Sequence, residues 1–359
     1  MSRTTPVTPN KTTAALWESI QRYLKSLPPA ILAVDSMQDV RFLKITPGAY
    51  NLNFHVSVDN KDFIFRVNIE QQSGLSKQVD YEYRILRFLT SHAIAPEVYH
   101  IDDSRVHFEF DILIEQFLAG PHLAFQKSQV LEAAALLAKL HCLPPLGIDF
   151  ITWPDPLHDT YKLAATDLAG YKTRKTADKK IIKLADRILE KIKPQLSEPI
   201  LPFQADSLNH TDVVCDNFIR SPQGLRMIDW EKPRIDDCSY DLSCFLSEPA
   251  QLWCTTEVMQ AEDGRAFLEE YSRLSNKNAE LLADKVRLRE PLISLHWILW
   301  GATKLCDLKE QRTSPALEGA HTEKKSRYER LARLENIAKL LDALEVQTAS
   351  KWWAGSAQL

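Results

Sequence analysis

An abrupt change in hydrophobic pattern near residue 120 constrains this chain more than any other feature. Before that point, short alternating or β-branched runs are separated by turn residues, and they predict strands at 40–45, 53–58, 63–69, 97–101 and 106–116. After Gly120-Pro121, the apolar residues recur at helical spacing. The pattern therefore predicts a sheet-rich N-terminal part and a larger, mainly helical C-terminal part.

Two helices are predicted within the N-terminal part. The first covers 12–27, where Leu16, Ile20 and Leu24 share one face and Pro28-Pro29 end the helix. The second covers 77–91, between the third and fourth strands, which gives a five-stranded antiparallel sheet with one inserted helix. Further helices are predicted at 128–142, 178–193, 264–283, 286–309 and 323–346, with a hairpin at 218–229. These elements predict two domains, 1–117 and 118–359.

Composition and charge are those of an ordinary soluble protein. The 359 residues are 45% hydrophobic and 26% charged, and the formal net charge is −4. An acidic balance argues against nucleic-acid binding, so we expect a small-molecule partner. No apolar run has the length of a membrane span or of a signal-peptide core, which predicts a cytoplasmic protein without a membrane partner. Six scattered cysteines without a CxxC pair predict neither disulfides nor a zinc site.

One segment, 209–242, carries the residue types that phosphoryl transfer needs. Asp212 is followed by Asn217 after five residues, and Asp229 ends a hydrophobic strand twelve residues later. In such reactions one carboxylate accepts the proton of the acceptor hydroxyl, while an amide and a second carboxylate hold magnesium on the nucleotide phosphates. The alternative is that the three side chains only cap loops.

His210-Thr211-Asp212 through Asn217 resembles the HxDxxxxN loop of the aminoglycoside phosphotransferase and choline kinase superfamily, and residues 228–231 resemble its IDWE motif. The resemblance implies an α+β, bilobal, protein-kinase-like fold and the use of ATP and Mg²⁺. It makes Asp212 the catalytic base, Asn217 and Asp229 the magnesium ligands, and His210 a brace of the loop. It also implies that Asp241 ties down the helix that follows.

The N-terminal part carries the nucleotide-binding features that this resemblance implies. A glycine-containing turn precedes the second strand, Arg66 lies on the third strand, and Glu82 lies on the inserted helix. The hinge is expected near Glu115 and Phe117, whose backbone groups would bind adenine. The residues of the turn are Gly48, Ala49, Tyr50 and Asn51. Taken singly, a glycine between strands indicates a turn, and an arginine and a glutamate indicate an ordinary ion pair.

The acceptor side is expected in the last third of the chain. Trp297 and Trp300 share one helix face, and choline and ethanolamine kinases have a similar WxLW helix, so the rings could hold a cationic acceptor through cation–π attraction. Glu248 could add negative charge there. Core packing is the alternative interpretation of the two tryptophans.

The function predicted from these motifs is an ATP- and magnesium-dependent small-molecule kinase with a cationic metabolite or an aminoglycoside-like compound as acceptor. A choline or ethanolamine kinase-like enzyme and a non-catalytic, nucleotide-binding pseudokinase are the alternatives. A protein kinase is disfavoured because the loop lacks the usual arginine and the metal motif is IDW in place of DFG. The choice of ATP or GTP and the oligomeric state are left open.

Overall fold

The computed structural model of the protein describes residues 11–48, 50–70, 75, 77–144, 149–196, 201–313 and 317–345. The chain forms two compact units. Unit 1 comprises Met1–Gly120, Arg226–Lys232 and Thr313–Thr322, and unit 2 comprises Pro121–Leu225, Pro233–Arg312 and Glu323–Leu359. Asp229 therefore belongs to unit 1, whereas Asp212 and Asn217 belong to unit 2.

Unit 1 is built on a five-stranded antiparallel sheet in the order β1-β2-β3-β5-β4, as the sequence predicted. The strands are β1 Val40–Pro47, β2 Asn51–Val58, β3 Lys61–Asn68, β4 Val98–Asp102 and β5 Ile112–Gln116. Helix α2, Gln78–Thr90, lies between β3 and β4 in the chain. Arg66 pairs with Leu113 of β5, so the sheet order places β3 directly beside the strand that leads to the predicted hinge.

Helix α1, Lys11–Ser26, covers one face of this sheet. Its Ile20 and Leu24 are fully buried and belong to the same core as Phe54 and Phe65 of β2 and β3. Phe63, Phe65 and Val67 of β3 also belong to this core, and their spacing follows the period of two in a strand. Because α1 and the strands exclude water from the side chains between them, burial of these large apolar groups stabilises unit 1.

Unit 2 is mainly helical. Its helices are α3 Lys127–His141, α4 Pro156–Lys172, α5 Lys179–Ile192, α6 Ser239–Leu246, α7 Glu248–Cys254, α8 Ala261–Ser275, α9 Ala279–Lys309, α11 Lys325–Leu331 and α12 Leu334–Glu345. Helix α10, Glu318–Glu323, precedes α11 in the chain. The short strands are β6 Ser207–Asn209 and β9 Arg234–Asp236, which pair antiparallel, and the hairpin β7 Phe218–Ser221 and β8 Gly224–Met227.

Helix α9 runs through the core of unit 2. Its Leu292, Leu295 and Leu299 are fully buried among side chains of α4, α5 and α12. Gly301 allows α9 and α11 to pack closely, because a Cβ atom there would lie 2.7 Å from the Leu331 Cβ of α11. None of the described helices combines the length and hydrophobicity needed to span a bilayer.

Three predicted elements differ from the structure. The last strand begins at Ile112 and not at 106, because Arg105 takes a left-handed φ of 56° and Val106 is 77% exposed. The predicted helix 264–283 is two helices, since Asn276 has a φ of 55° and ends α8 before α9 begins. The predicted helix 323–346 is also divided, into α11 and α12. Helices α4, α7 and α10 were not predicted.

Candidate functional site

Asp212 and Asn217 lie together in unit 2. Strand β6 leads into the loop that contains Asp212, and Asn217 ends a one-turn 3-10 helix, Cys215–Asn217. The Asn217 Nδ2 donates to the backbone oxygen of Asp212 at 2.9 Å and to its carboxylate Oδ2 at 3.0 Å. The Asp212 carboxylate is therefore held in one orientation by the residue five positions further on.

Asp241, at the start of α6, fixes the backbone before Asp212. It is fully buried and accepts the N–H of His210 at 2.7 Å and that of Thr211 at 2.8 Å. Thr211 has a φ of 73°, which costs a non-glycine residue free energy and requires such support. The His210 Nδ1 in turn accepts the N–H of Asp212 at 3.3 Å. His210 thus contacts the loop backbone, the place that the resemblance implies for it.

The Asp241 carboxylate is charged within a polar network. Burial opposes its ionisation, but the hydrogen bond to His141 at 3.2 Å, the electrostatic attraction of the His141 and His210 rings and the backbone donors outweigh that effect and hold the pKa of Asp241 below its ordinary value. His141 also hydrogen-bonds the Tyr271 hydroxyl at 2.8 Å. His141 of α3 therefore links Tyr271 of α8 to the α6 carboxylate that supports the Asp212 loop.

In unit 1, Arg66 lies among four carboxylates. Its Nη1 is 2.5 Å from Glu82, and its Nη2 is 3.4 Å from Glu115 and 3.3 Å from Asp229. Glu231 is the fourth, at 3.8 Å. All of these side chains are buried except that of Asp229, which is 37% exposed.

The pKa values of the three glutamates in this cluster are shifted upward. Burial raises the pKa of Glu82 to about 7, against the attraction of Arg66 and with added repulsion from Glu115 and Asp229. Burial, followed by repulsion from Asp229, also raises the pKa of Glu231 well above its ordinary value. One guanidinium is thus insufficient to neutralise the acids around it.

Asn51 connects the predicted phosphate turn to this cluster. Its side chain is 3% exposed, donates to Glu231 and accepts from Asn68 at 2.9 Å. Gly48 closes the turn by donating its N–H to the Asn51 backbone oxygen at 2.7 Å, and the Tyr50 oxygen accepts the N–H groups of residues 69 and 70. Ala49 lies outside the described residues.

The predicted hinge residues both have partners within unit 1. Glu115 turns its side chain to Arg66, and the Phe117 N–H donates to the Asp62 oxygen at 3.3 Å. The Phe117 ring stacks on His55 with 3.7 Å between centroids. The Phe117 N–H therefore has a hydrogen-bond acceptor within unit 1.

Trp297 and Trp300 belong to an aromatic cluster in unit 2 together with Trp253 and Tyr328. The ring centroids of Trp253 lie 6.4 Å from Trp297, 5.1 Å from Trp300 and 5.5 Å from Tyr328. Trp297 is 8% exposed, so most of its surface is packed against other residues, as the core interpretation expects. Trp253 was missed because helix α7, on which it lies, was not predicted.

The charges beside this cluster are already matched. Glu248 lies 3.3 Å from the Lys339 Nζ, and the Arg327 guanidinium lies 5.2 Å from the centre of the Trp253 ring. A cation therefore already occupies one of the aromatic faces that could hold a cationic acceptor.

The predicted site residues are thus divided between the units. Arg66, Glu82, Glu115 and Asp229 come together in unit 1, whereas His210, Asp212 and Asn217 come together in unit 2. Sequence reasoning assigned no role to Glu231, although the IDWE motif contained it.

The proposed magnesium ligands have the oxygen chemistry that this ion requires. Asp229 offers a partly exposed carboxylate, and Asn217, whose amide nitrogen donates to Asp212, keeps its carbonyl oxygen for a cation. No group of three His, Cys, Asp or Glu side chains in the described part of the chain could hold a metal ion. One or two protein ligands suffice for Mg²⁺ when substrate phosphates complete its shell, so each of these two side chains has the donor chemistry that the ion needs.

The chain is similar to a known protein family and to several solved structures. The model of the phosphotransferase enzyme family, APH, matches residues 41–282. No curated protein matches the chain. Among solved structures, the chain is similar to a choline kinase from Cryptosporidium parvum Iowa II, with 17% identity, 94% of this chain and 99% of that chain covered, and a TM-score of 0.62.

Two other solved structures share the fold. An ethanolamine kinase from Plasmodium vivax has 16% identity, covers 90% of this chain and 89% of its own, and has a TM-score of 0.60. A spectinomycin phosphotransferase in complex with ADP and spectinomycin has 14% identity, covers 85% and 93%, and has a TM-score of 0.56. These likenesses confirm the predicted kinase-like fold class.

Proposed function

The chain belongs to the APH phosphotransferase enzyme family, and on that premise we propose that it is a small-molecule kinase that uses ATP and Mg²⁺. The observation that carries the proposal is the Asp212 carboxylate, held by Asn217 at 3.0 Å in a loop whose backbone is fixed by Asp241. A positioned carboxylate of this kind can accept a proton from an acceptor hydroxyl.

The proposed reaction follows from the residues in order. Asp212 takes the proton of the acceptor hydroxyl while the oxygen of that hydroxyl bonds to the γ-phosphorus. The bond from the γ-phosphorus to the β–γ bridging oxygen breaks, and ADP leaves. Arg66, kept in place by Glu82, would bind nucleotide phosphates. Asn217 and Asp229 would hold Mg²⁺, which when bound neutralises phosphate charge.

The two parts of the chain have different proposed tasks. Residues 1–117 would bind the nucleotide through the turn at 48–51 and the strand around Glu115, and residues 118–359 would supply the base and the acceptor site. The family model matches 41–282, a range that contains both the Arg66 strand and the Asp212 loop to which these tasks are assigned.

The proposed acceptor site is the side of unit 2 that contains the aromatic cluster. Burial first, and then the charge of Asp212, raise the pKa of the Cys244 thiol, which also accepts a hydrogen bond from Trp297. The Cys244 thiol therefore interacts with both the proposed base, Asp212, and Trp297 of the aromatic cluster.

A choline or ethanolamine kinase-like activity is the second candidate, because the four aromatic rings could contact an ammonium group. Arg327 and Lys339 work against it, since they place positive charge next to Trp253 and Glu248. An aminoglycoside-like or other small hydroxylated acceptor is not subject to the same restriction to aromatic faces. Cationic and uncharged acceptors therefore have to be compared in the assay.

The test is label transfer from γ-labelled ATP with Mg²⁺ to choline, ethanolamine, aminoglycosides, sugars and amino acids. We expect one acceptor class to be labelled by the wild type and not by Asp212→Asn. Magnesium-dependent ATP binding without transfer to any acceptor and without a background ATPase would contradict the proposal and indicate a pseudokinase.

The variants Trp297→Ala and Trp300→Ala then separate the two interpretations of the aromatic cluster. A rise in KM for the labelled acceptor with a native melting temperature would indicate a binding surface. Loss of folding in both variants would indicate a core, and the more exposed Trp300 is the better test for that reason.

A further inference from the structure

We propose that Arg327, on α11, is a positioning residue that sets Asn217 for phosphoryl transfer by holding the neighbouring Asp216, an inference that rests on the proposed function. Its Nη1 donates to the Asp216 Oδ2 at 2.5 Å. The two residues are 111 positions apart in the chain, and Asp216 lies between the proposed base and the proposed magnesium ligand. The contact therefore joins a remote helix to the turn on which the chemistry depends.

The turn is attached to its surroundings at two points. The Asp216 carboxylate binds Arg327, and the Asp216 N–H donates to the Cys254 Sγ, at the end of α7, at 3.4 Å. Next in the chain, the Asn217 N–H donates to the Val214 oxygen at 2.9 Å. Since residue 216 is fixed through both its side chain and its backbone, the direction of the Asn217 side chain toward Asp212 follows from these contacts.

Helix α11 is itself fixed against α7. Arg330, one turn after Arg327, donates its Nε to the Leu252 oxygen at 3.0 Å and its Nη2 to the Trp253 oxygen at 3.4 Å. These carbonyls belong to the last turn of α7, which has no further helical N–H to bind them. The Trp253 ring lies against the Arg327 guanidinium, so α7 and α11 form one support for the turn.

The Arg327–Asp216 pair is suited to positioning because it is only partly exposed. The side chains are 34% and 32% exposed, so water screens the pair less than it screens a surface pair. A guanidinium also fixes the direction of its hydrogen bonds more strictly than an ammonium does. A displacement of about 1 Å in a catalytic group can lower a rate about 100-fold.

The test compares Arg327→Ala, Arg327→Lys, Asp216→Asn and the double variant Arg327→Ala/Asp216→Asn, with Arg333→Ala as the matched control. Arg333 is an exposed arginine two residues beyond the end of α11. We expect Arg327→Ala to lower kcat by about 10- to 100-fold and to raise the Mg²⁺ concentration for half-maximal rate, with the acceptor KM within about twofold of the wild type.

The double variant identifies the route of the effect. If Arg327 acts through Asp216, the double variant is no slower than Arg327→Ala alone, and Arg327→Lys recovers part of the rate. Multiplied losses in the double variant, a wild-type kcat in Arg327→Ala, or an equal loss in Arg333→Ala would overturn the proposal.

Hydrogen exchange of the peptide that covers 212–217 in the complete protein gives a readout that does not require activity. We expect faster exchange in Arg327→Ala than in Arg333→Ala at matched global stability, and equal exchange would overturn the proposal. If the wild type itself transfers no phosphoryl group, the proposed function fails, and this exchange measurement still decides whether Arg327 orders the turn.

Discussion

The buried cluster around Arg66 predicts a strong asymmetry between two substitutions. At an effective dielectric constant of about 20, unit charges about 4 Å apart interact by about 4 kcal/mol, and Arg66 has four carboxylates within that range. Arg66→Met removes the single positive charge, so we expect it to cost at least the roughly 3–5 kcal/mol typical of breaking a buried ion pair. Glu82→Gln removes one of four negative charges, and we expect a change within about 1 kcal/mol at pH 8.

The raised pKa of Glu82 also predicts in which direction the stability of the protein changes with pH. The pKa of Glu82 is raised from 4.5 to about 7, so between those values the folded protein binds more protons than the unfolded chain. The free energy of unfolding of the wild type therefore falls as the pH rises through this window, by up to about 3 kcal/mol, and this loss is absent in Glu82→Gln. At about 2–4 °C per kcal/mol, the loss corresponds to about 6–12 °C in melting temperature.

Calorimetric melting of the wild type and both variants between pH 5 and pH 8 measures these effects. We expect the melting temperatures of the wild type and Glu82→Gln to converge, or to cross, as the pH rises. Parallel curves for the two proteins, or a loss in Glu82→Gln at pH 8 as large as that in Arg66→Met, would refute the reasoning that acids outnumber cations in this cluster.

Two further predictions concern unit 2. Gly301→Ala should destabilise the protein by about 1–3 kcal/mol, because the new Cβ would lie 2.7 Å from the Leu331 Cβ. Gly170→Ala, whose new Cβ would have no atom within 4 Å, should stabilise α4 by up to about 1 kcal/mol. Thermal unfolding measures both effects, and a stabilised Gly301→Ala would contradict the close packing of α9 on α11. Asp241→Asn should lower the free energy of unfolding by about 1.5–3 kcal/mol at pH 7, and this difference should disappear as the pH falls through the lowered pKa of Asp241. The substitution should also slow phosphoryl transfer, because Thr211 is released from its left-handed φ. Equal acid sensitivity of the two proteins would argue against a charged Asp241.

Periodicity was sufficient for the sheet of unit 1 but not for the divided helices. The strands around Phe54 and Phe65 have a period of two that survives in the structure because one face is buried under α1. The break at Asn276 depends on a single left-handed residue, which leaves the apolar pattern on both sides intact. A hydrophobic pattern alone therefore could not separate α8 from α9 at that point.

The motifs predicted which residues to examine and not how they are paired. Spacing identified Asp212 and Asn217, and the structure adds that the Asn217 amide donates to the Asp212 carboxylate. Arg66 was expected to pair with one glutamate and in fact faces four acids, because the sheet and the segment around Asp229 bring together residues far apart in sequence. Arg327 left no local signal, since its partner is 111 residues away.

Asp212 is the group on which the proposed activity depends most directly. The most direct measurement compares phosphoryl transfer by the wild type and by Asp212→Asn at equal, saturating nucleotide, with ADP binding measured on both proteins. We expect Asp212→Asn to bind ADP as the wild type does and to transfer at least about 100-fold more slowly, since general-base catalysis contributes about that much or more. Equal transfer rates in two proteins that bind ADP equally would contradict the assignment of Asp212 as the base.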